Sequence, residues 1–295
     1  MSILKHESDV WKTADLLIGA GIKQSDFPKF MMPFFGLVLM ESRLVRKKIE
    51  LLEEFGIEAE KPEIADLTKI LDEQMLTDFI DEFQDLEFGY NDEVIRKGNT
   101  LRVISGNDKT FGVDYQTYLK AFDEETKSLL GVDRGSADAK FLDISGFSGQ
   151  LAKKGILLAS VKKWAAIDLL PFNNSEITTL EEHIKRKWAD ISAETAGEQY
   201  TPDDIISLIS EIIAAKIDDN GKFLTIYDPT CGGGNLLFGV EDKIQEKFNR
   251  PTKTHGDEWN DALFALAKIE SRFRNDSDIN YGNTLTRIFH IEKRF

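Results

Sequence analysis

Cysteine is almost absent: the single Cys231 in 295 residues excludes an internal disulfide. Together with four scattered histidines, His6, His183, His255 and His290, it offers no zinc-ligand spacing, so no metal is expected. The lone thiol fits a reducing, cytoplasmic setting. Prolines number only 7 and no low-complexity tract occurs. At 41% hydrophobic, the chain has enough apolar surface to offset the entropy of ordering itself. Long hydrophobic runs are also missing. The stretch Phe34 to Met40 is far short of the roughly 20 residues that cross a bilayer, and the N-terminus lacks the basic-then-apolar pattern of an export signal. Basic residues are outnumbered, 37 Lys and Arg against 52 Asp and Glu, for a formal charge of -15. Such a surface repels a phosphate backbone, so any contact with nucleic acid has to be local or made through a partner.

What is present begins with helices. The length favours two domains. From Val10 to Phe55 apolar residues recur at helical spacing, with Phe27, Phe30, Met31, Phe34, Leu37, Val38 and Leu44 in a broad stripe, which predicts three successive helices. The charged run Arg43 to Glu54 mixes signs as a solvated helix face does. Pro62 to Asp85 reads as one amphipathic helix. Between Glu87 and Gly135 the pattern gives loops and one helix around Tyr115 to Leu130, and helical spacing resumes from Phe147 to Leu170. Pro171 and the Asn173-Asn174-Ser175 turn then break it. The expected division is therefore a helical N-terminal domain over 1–172 and a second domain over 173–295. Thr179 with Glu182 is a capping-box pattern for a helix through Trp188.

The last third has a different grammar, alternating strand and helix, as in the first half of a doubly wound, Rossmann-like sheet. Phe223 to Tyr227 is an apolar run suited to a parallel strand buried on both faces, closed by Asp228. Gly232, Gly233 and Gly234 follow, allowing a tight turn and close approach to a ligand, and Asn235 is placed to cap the next helix. Three glycines also fit plain helix-strand packing. No Gly-Lys-Ser/Thr follows, and the third dinucleotide glycine is replaced by Leu237, so phosphate-bearing cofactors are disfavoured. A nucleoside cofactor without phosphates requires an acid after the second strand for its ribose hydroxyls. Glu258 stands there, with Asp257 as the alternative. Asn283, in the turn after a third strand, could accept from an adenine amino group. Upstream, Thr201 is placed as an N-cap with Pro202 in the first turn before Ile205, Ile206 and Leu208. Such a helix start can also hold a carboxylate. Cys231 has no histidine or metal partner and reads as a packing residue.

Four motifs in order, 196–202 (Ala-Gly-Glu-Gln-Tyr-Thr-Pro), 228–234 (Asp-Pro-Thr-Cys-Gly-Gly-Gly), 256–260 (Gly-Asp-Glu-Trp-Asn) and 282–285 (Gly-Asn-Thr-Leu), resemble those of the modification subunits of type I restriction-modification systems, adenine-specific DNA methyltransferases. The resemblance is specific over about 185–295, and the helical segment before it is similar in character to the family's helical domain. It implies an α + α/β fold in which a helical domain precedes the first half of a Rossmann-like methyltransferase sheet. It also implies S-adenosyl-L-methionine as cofactor, held by Glu198, Gln199, Tyr200, Thr201, Pro202, Asp203, Asp228, Gly232, Gly233, Gly234 and Glu258. Two positions depart from the family pattern: Asp203 stands where Arg is usual, and Asn283 where Asp is frequent. The family's catalytic Asn-Pro-Pro-Tyr/Phe turn, which holds a flipped adenine, does not occur before Phe295, so no catalytic residue is assigned. The chain then corresponds to the N-terminal, cofactor-binding portion of such a subunit and would be inactive alone. Implied partners are DNA through the complex, a specificity subunit, a restriction subunit and a second modification subunit. A non-catalytic assembly or cofactor-sensing module is the alternative, and a dehydrogenase-like nucleotide fold is a weaker third reading.

Overall fold

Helical periodicity before position 172 and alternating strand and helix after 203 become two architectures in the computed structural model. It describes residues 5–85, 89–132, 142–172, 180, 184, 201–218, 221–272, 274 and 276–286. The chain divides into two compact units, Met1–Phe172 and Asn173–Phe295. In the first unit α1 (Lys5–Gly19) leads to α2 (Phe27–Glu54), a 28-residue helix that packs against α1 and most of the helices that follow it. These are α3 (Leu67–Ile70), α4 (Glu73–Asp85), α5 (Asp92–Ile95), α6 (Leu101–Ile104), α7 (Phe111–Lys120), α8 (Glu124–Leu130), α9 (Ile144–Lys153) and α10 (Leu157–Ala165). A helix surrounded in this way must be apolar all round. Phe27, Phe34, Phe35, Leu37, Leu39 and Met40 are accordingly all buried. Phe30 packs on Phe147 of α9 and Phe34 stacks on Trp164 of α10.

Three expectations for this unit need correction. The region 10–55 holds two long helices and not three, because the apolar stripe of α2 runs unbroken through Pro33. The segment 62–85 and the stretch around 115–130 are each divided. Asp66 and Asp123 turn their carboxylates onto the amides of Thr68 and Thr126 and start new helices there. Asn91 and Asp143 do the same for α5 and α9. The charged run 43–54 is not a solvated face throughout: Arg43 and Lys48 are buried. Because α2 is central, Lys48 and Arg46 reach backbone carbonyls of the segments around it. Lys48 Nζ donates to Ala65 O at 2.7 Å and Val94 O at 3.4 Å, and Arg46 donates to the carbonyls of Leu170 and Phe172. Burial pulls the Lys48 ammonium down to about 8, opposed by the nearby Asp66 and Glu63 carboxylates. The capping-box helix expected at 179–188 lies outside the described residues apart from Leu180 and Ile184.

The second unit is a pair of right-sized β-α-β repeats. Strands β1 (Leu224–Asp228), β2 (Thr252–Glu258) and β3 (Ser277–Tyr281) form a parallel sheet in the order β1-β2-β3. Helix α11 (Asp203–Lys216) precedes β1, α12 (Asn235–Phe248) links β1 to β2, and α13 (Asp261–Ser271) links β2 to β3. Gly239 of α12 lets Ile206 of α11 sit directly against the helix backbone. Two caps differ from expectation. Gly234, with φ of 90°, is the N-cap of α12 and Asn235 is already helical. Pro202 occupies the N-cap of α11 in place of Thr201, and no side chain caps that helix start.

The strands differ in burial. β2 is almost wholly buried, whereas every residue of β1 is only half-buried and Phe223 is 53% exposed. The expectation of a first strand covered on both faces is thus not met. Among the described residues β1 pairs with β2 alone, and its other edge has no strand partner there. An apolar groove of about 500 Å³ runs along that edge, lined by Ile213, Ile217, Leu224, Ile226, Leu236 and Val240 among others. Beside it α11 presents an exposed stripe of Ile205, Leu208, Ile212 and Ile213.

Candidate functional site

Parallel register decides which side chains can meet. Asp228 lies opposite Gly256 and Tyr227 opposite His255. Since side chains alternate along a strand, Asp228, Gly256 and Glu258 share one face, and Tyr227, His255 and Asp257 share the other. The two candidate acids, which the structure places as the last two residues of β2, are therefore separated by geometry. Glu258 goes to the face of Asp228 and the glycine turn. Gly232 N donates to Glu258 Oε2 at 2.9 Å, while Trp259 N and Asn260 N donate to Oε1 at 2.9 and 2.7 Å. A carboxylate offers about four acceptor positions, so room remains for a donor from outside. Asp257 is 1% exposed and points into the protein, where it accepts from Tyr227 Oη at 2.6 Å and Asn280 Nδ2 at 3.4 Å.

The glycine turn is positioned from below. Cys231 N donates to Asp257 O at 3.0 Å, and Gly234 N closes the turn on Cys231 O at 2.8 Å. Gly232 and Gly234 have φ of 58° and 90°, a left-handed backbone that only glycine adopts without strain. Space above Gly232 is open, with nothing within 4 Å of where a Cβ would stand, so a ligand could lie against the backbone there. Gly256, on the strand beneath, leaves room for the Cys231 side chain: a Cβ would come within 2.8 Å of its Sγ. Cys231 is thus a buried packing residue, and burial with the surrounding carboxylates raises its thiol well above the usual range.

Asp228 accepts the amide of Thr230 at 3.0 Å, which would lower its pKa, but burial and then the charges of Glu258 and Asp257 outweigh this and raise it. Two carboxylates, Asp228 and Glu258, thus share one face at the carboxyl ends of adjacent strands, where ligands bind in open α/β sheets, with Asp257 on the face behind them. Asn283 follows β3 in an exposed turn, its Oδ1 accepting from Leu285 N at 2.9 Å. That turn is tied to the others: Gly282 N donates to Glu258 O, and Thr284 Oγ1 to Pro229 O. Of the remaining sequence candidates, Thr201 is exposed and Pro202 opens α11, Gly233 is buried in the turn, and Glu198, Gln199 and Tyr200 lie outside the described residues. Sequence reasoning missed Tyr227 and Thr284, and weighed Asp257 only as the alternative ribose acid. The alternation along β1 and β2 was the available signal. Trp259, 70% exposed beside Glu258, was also passed over. Among the described residues no cluster could hold a metal ion, and no helix is long and apolar enough to cross a membrane.

A helical unit followed by a parallel half-sheet, with a glycine turn after its first strand and an acid after its second, is the α + α/β class with a Rossmann-like methyltransferase sheet. The comparisons with known proteins agree: the sequence pattern of the family described as N-6 DNA Methylase matches residues 176–295. The fold also matches the crystal structure of the methyltransferase subunit of a type I restriction-modification system from Streptococcus thermophilus, with a TM-score of 0.72 and 19% identity. That match covers 99% of this chain and 61% of the subunit, so the chain spans less than two thirds of its length. A protein described as a class I S-adenosylmethionine-dependent methyltransferase, from Listeria monocytogenes, matches at a TM-score of 0.39 and 20% identity, covering 64% of this chain and 53% of that one. No curated protein matches.

Proposed function

We propose that residues 173–295 bind S-adenosyl-L-methionine and that the chain serves adenine-N6 methylation of DNA as the cofactor-binding portion of a type I modification subunit. The observation that carries this reading is the bond from Gly232 N to Glu258 Oε2, which brings the glycine turn and the acid after β2 into one crevice. Glu258 would accept a ribose hydroxyl at the one acceptor position that its three amide bonds leave. The open backbone at Gly232 to Gly234 admits the nucleoside, Asp228 borders the methionine side, and Asn283 faces the adenine amino group. The start of α11 at Thr201 to Asp203, with Glu198 to Tyr200 before it, completes the methionine end. When bound, the cofactor supplies a methyl group on a sulfonium centre. The family match over 176–295 supports the activity, and the formal charge of -15 supports delegating DNA contact to a specificity subunit. A restriction subunit and a second modification subunit would complete the complex, in the cytoplasm.

Titration calorimetry of the chain with S-adenosylmethionine tests the reading. Binding should be detectable, and Glu258→Gln should weaken it by about 10- to 100-fold through loss of charge-assisted bonds to the ribose. Asp228→Ala should weaken it by a smaller factor. Absence of heat with the unaltered chain removes the cofactor claim.

A further inference from the structure

Asp257 stands one residue from the proposed ribose acid yet turns the opposite way, and its bonds to Tyr227, Asn280 and Cys231 tie it to the frame of the site. Its Oδ2 accepts the Tyr227 phenol of β1 at 2.6 Å and lies 3.5 Å from Thr284 Oγ1. Its Oδ1 is 3.4 Å from Asn280 Nδ2 of β3, and its backbone carbonyl accepts Cys231 N of the glycine turn. Thr284, next to Asn283, reaches across to Pro229 O at 2.5 Å, so the first and third turns are joined at their bases. One side chain, 1% exposed, therefore meets both neighbouring strands and the turn that carries Asn283.

We infer that Asp257 is a positioning residue: with Tyr227 and Thr284 it forms a clamp that holds the glycine turn and the Asn283 turn at a fixed separation, and it contacts no ligand itself. A buried carboxylate with two or three donors is a stiff hub, because a short charge-assisted bond in a dry setting is costly to leave unmade. Strand ends are also where parallel pairing stops, so the turns beyond them need side-chain ties to keep a common geometry. The role in cofactor binding rests on the function proposed above, whereas the clamp itself does not.

Amide exchange and calorimetry on the whole chain separate the two. In the cofactor-free protein, Asp257→Ala and Tyr227→Phe should speed exchange at Gly282 and Thr286 by about tenfold and leave Val240 and Ile244 of α12 unchanged. Asp257→Asn, which keeps an acceptor for Tyr227, should recover much of the protection. Uniform acceleration across the second unit, or none at the turns, overturns the clamp. With S-adenosylmethionine, Asp257→Ala should lose about tenfold in affinity, and Asn283→Ala should cost less in that background than in the unaltered chain, so that the two losses fall well short of additive. Additive losses overturn the positioning role. If the unaltered chain binds no S-adenosylmethionine, the proposed function fails and the exchange pattern still decides the clamp.

Discussion

Gly234 and Gly256 carry the closest approaches around the site, and each makes a prediction. A Cβ on Gly234 would stand 2.2 Å from the buried Phe238 ring in a left-handed backbone, so Gly234→Ala should destabilise the second unit by about 2–4 kcal/mol. Gly256→Ala, which would press on Cys231 and Ile279, should cost somewhat less, and Gly232→Ala, facing open space, about 1 kcal/mol. Urea unfolding should return that order. In the helical unit, burial raises the Glu41 carboxyl from 4.5 to about 7, against the lowering effect of the Leu101 amide it accepts at 2.7 Å. Between those values the folded chain keeps a proton that the unfolded chain gives up, so this contribution is fully present below pH 4.5 and is lost as pH rises through 7. Glu41→Gln should therefore gain on the unaltered protein by about 1–3 kcal/mol between pH 5 and pH 8. A constant difference across that range would refute the assignment. At this scale the sequence exposed the glycine turn and Glu258 but did not decide between Glu258 and Asp257, because that choice depends on strand register.

Helices and strands as elements were legible where periodicity ran long and obscure where capping intervened. The stripe of α2 was plain, yet its burial on every side was not. Amphipathic spacing shows that one face is covered, and only the surrounding helices show that the rest is too, which is why Lys48 and Arg43 were read as solvated. Several short helices were lost because a single side chain starts them, Asp66, Asn91, Thr100, Asp123 or Asp143, a signal weaker than a run of apolar residues. Asn91 illustrates the strength of such a cap. It is fully buried, accepts Val94 N, and donates Nδ2 to Tyr118 O at 3.0 Å. Asn91→Ala should cost about 2 kcal/mol by removing the cap and leaving the Tyr118 carbonyl with only its longer bond from Ala121 N, measurable as a lower urea midpoint. In the second unit, the strand-turn-helix grammar placed all three strands, since each lies between a turn signal and an amphipathic helix.

Two compact units in one chain make stability a local property. If the proposed function holds, S-adenosylmethionine at 100 times its dissociation constant should stabilise the second unit by about 2.7 kcal/mol. Scanning calorimetry should then show one transition moving upward and another staying in place. A single transition that shifts as a whole would mean that the units unfold together. The open side of β1 has a separate consequence, for handling and for life in a crowded cell. Among the described residues no strand pairs with that edge, so the alternate residues of β1 that face it present amides and carbonyls outward, next to a greasy groove and a stripe of isoleucine and leucine. Such a rim is a template on which any stray extended chain can zip. Concentrated samples should turn cloudy on standing, and a lysine gatekeeper introduced as Thr225→Lys should keep them clear.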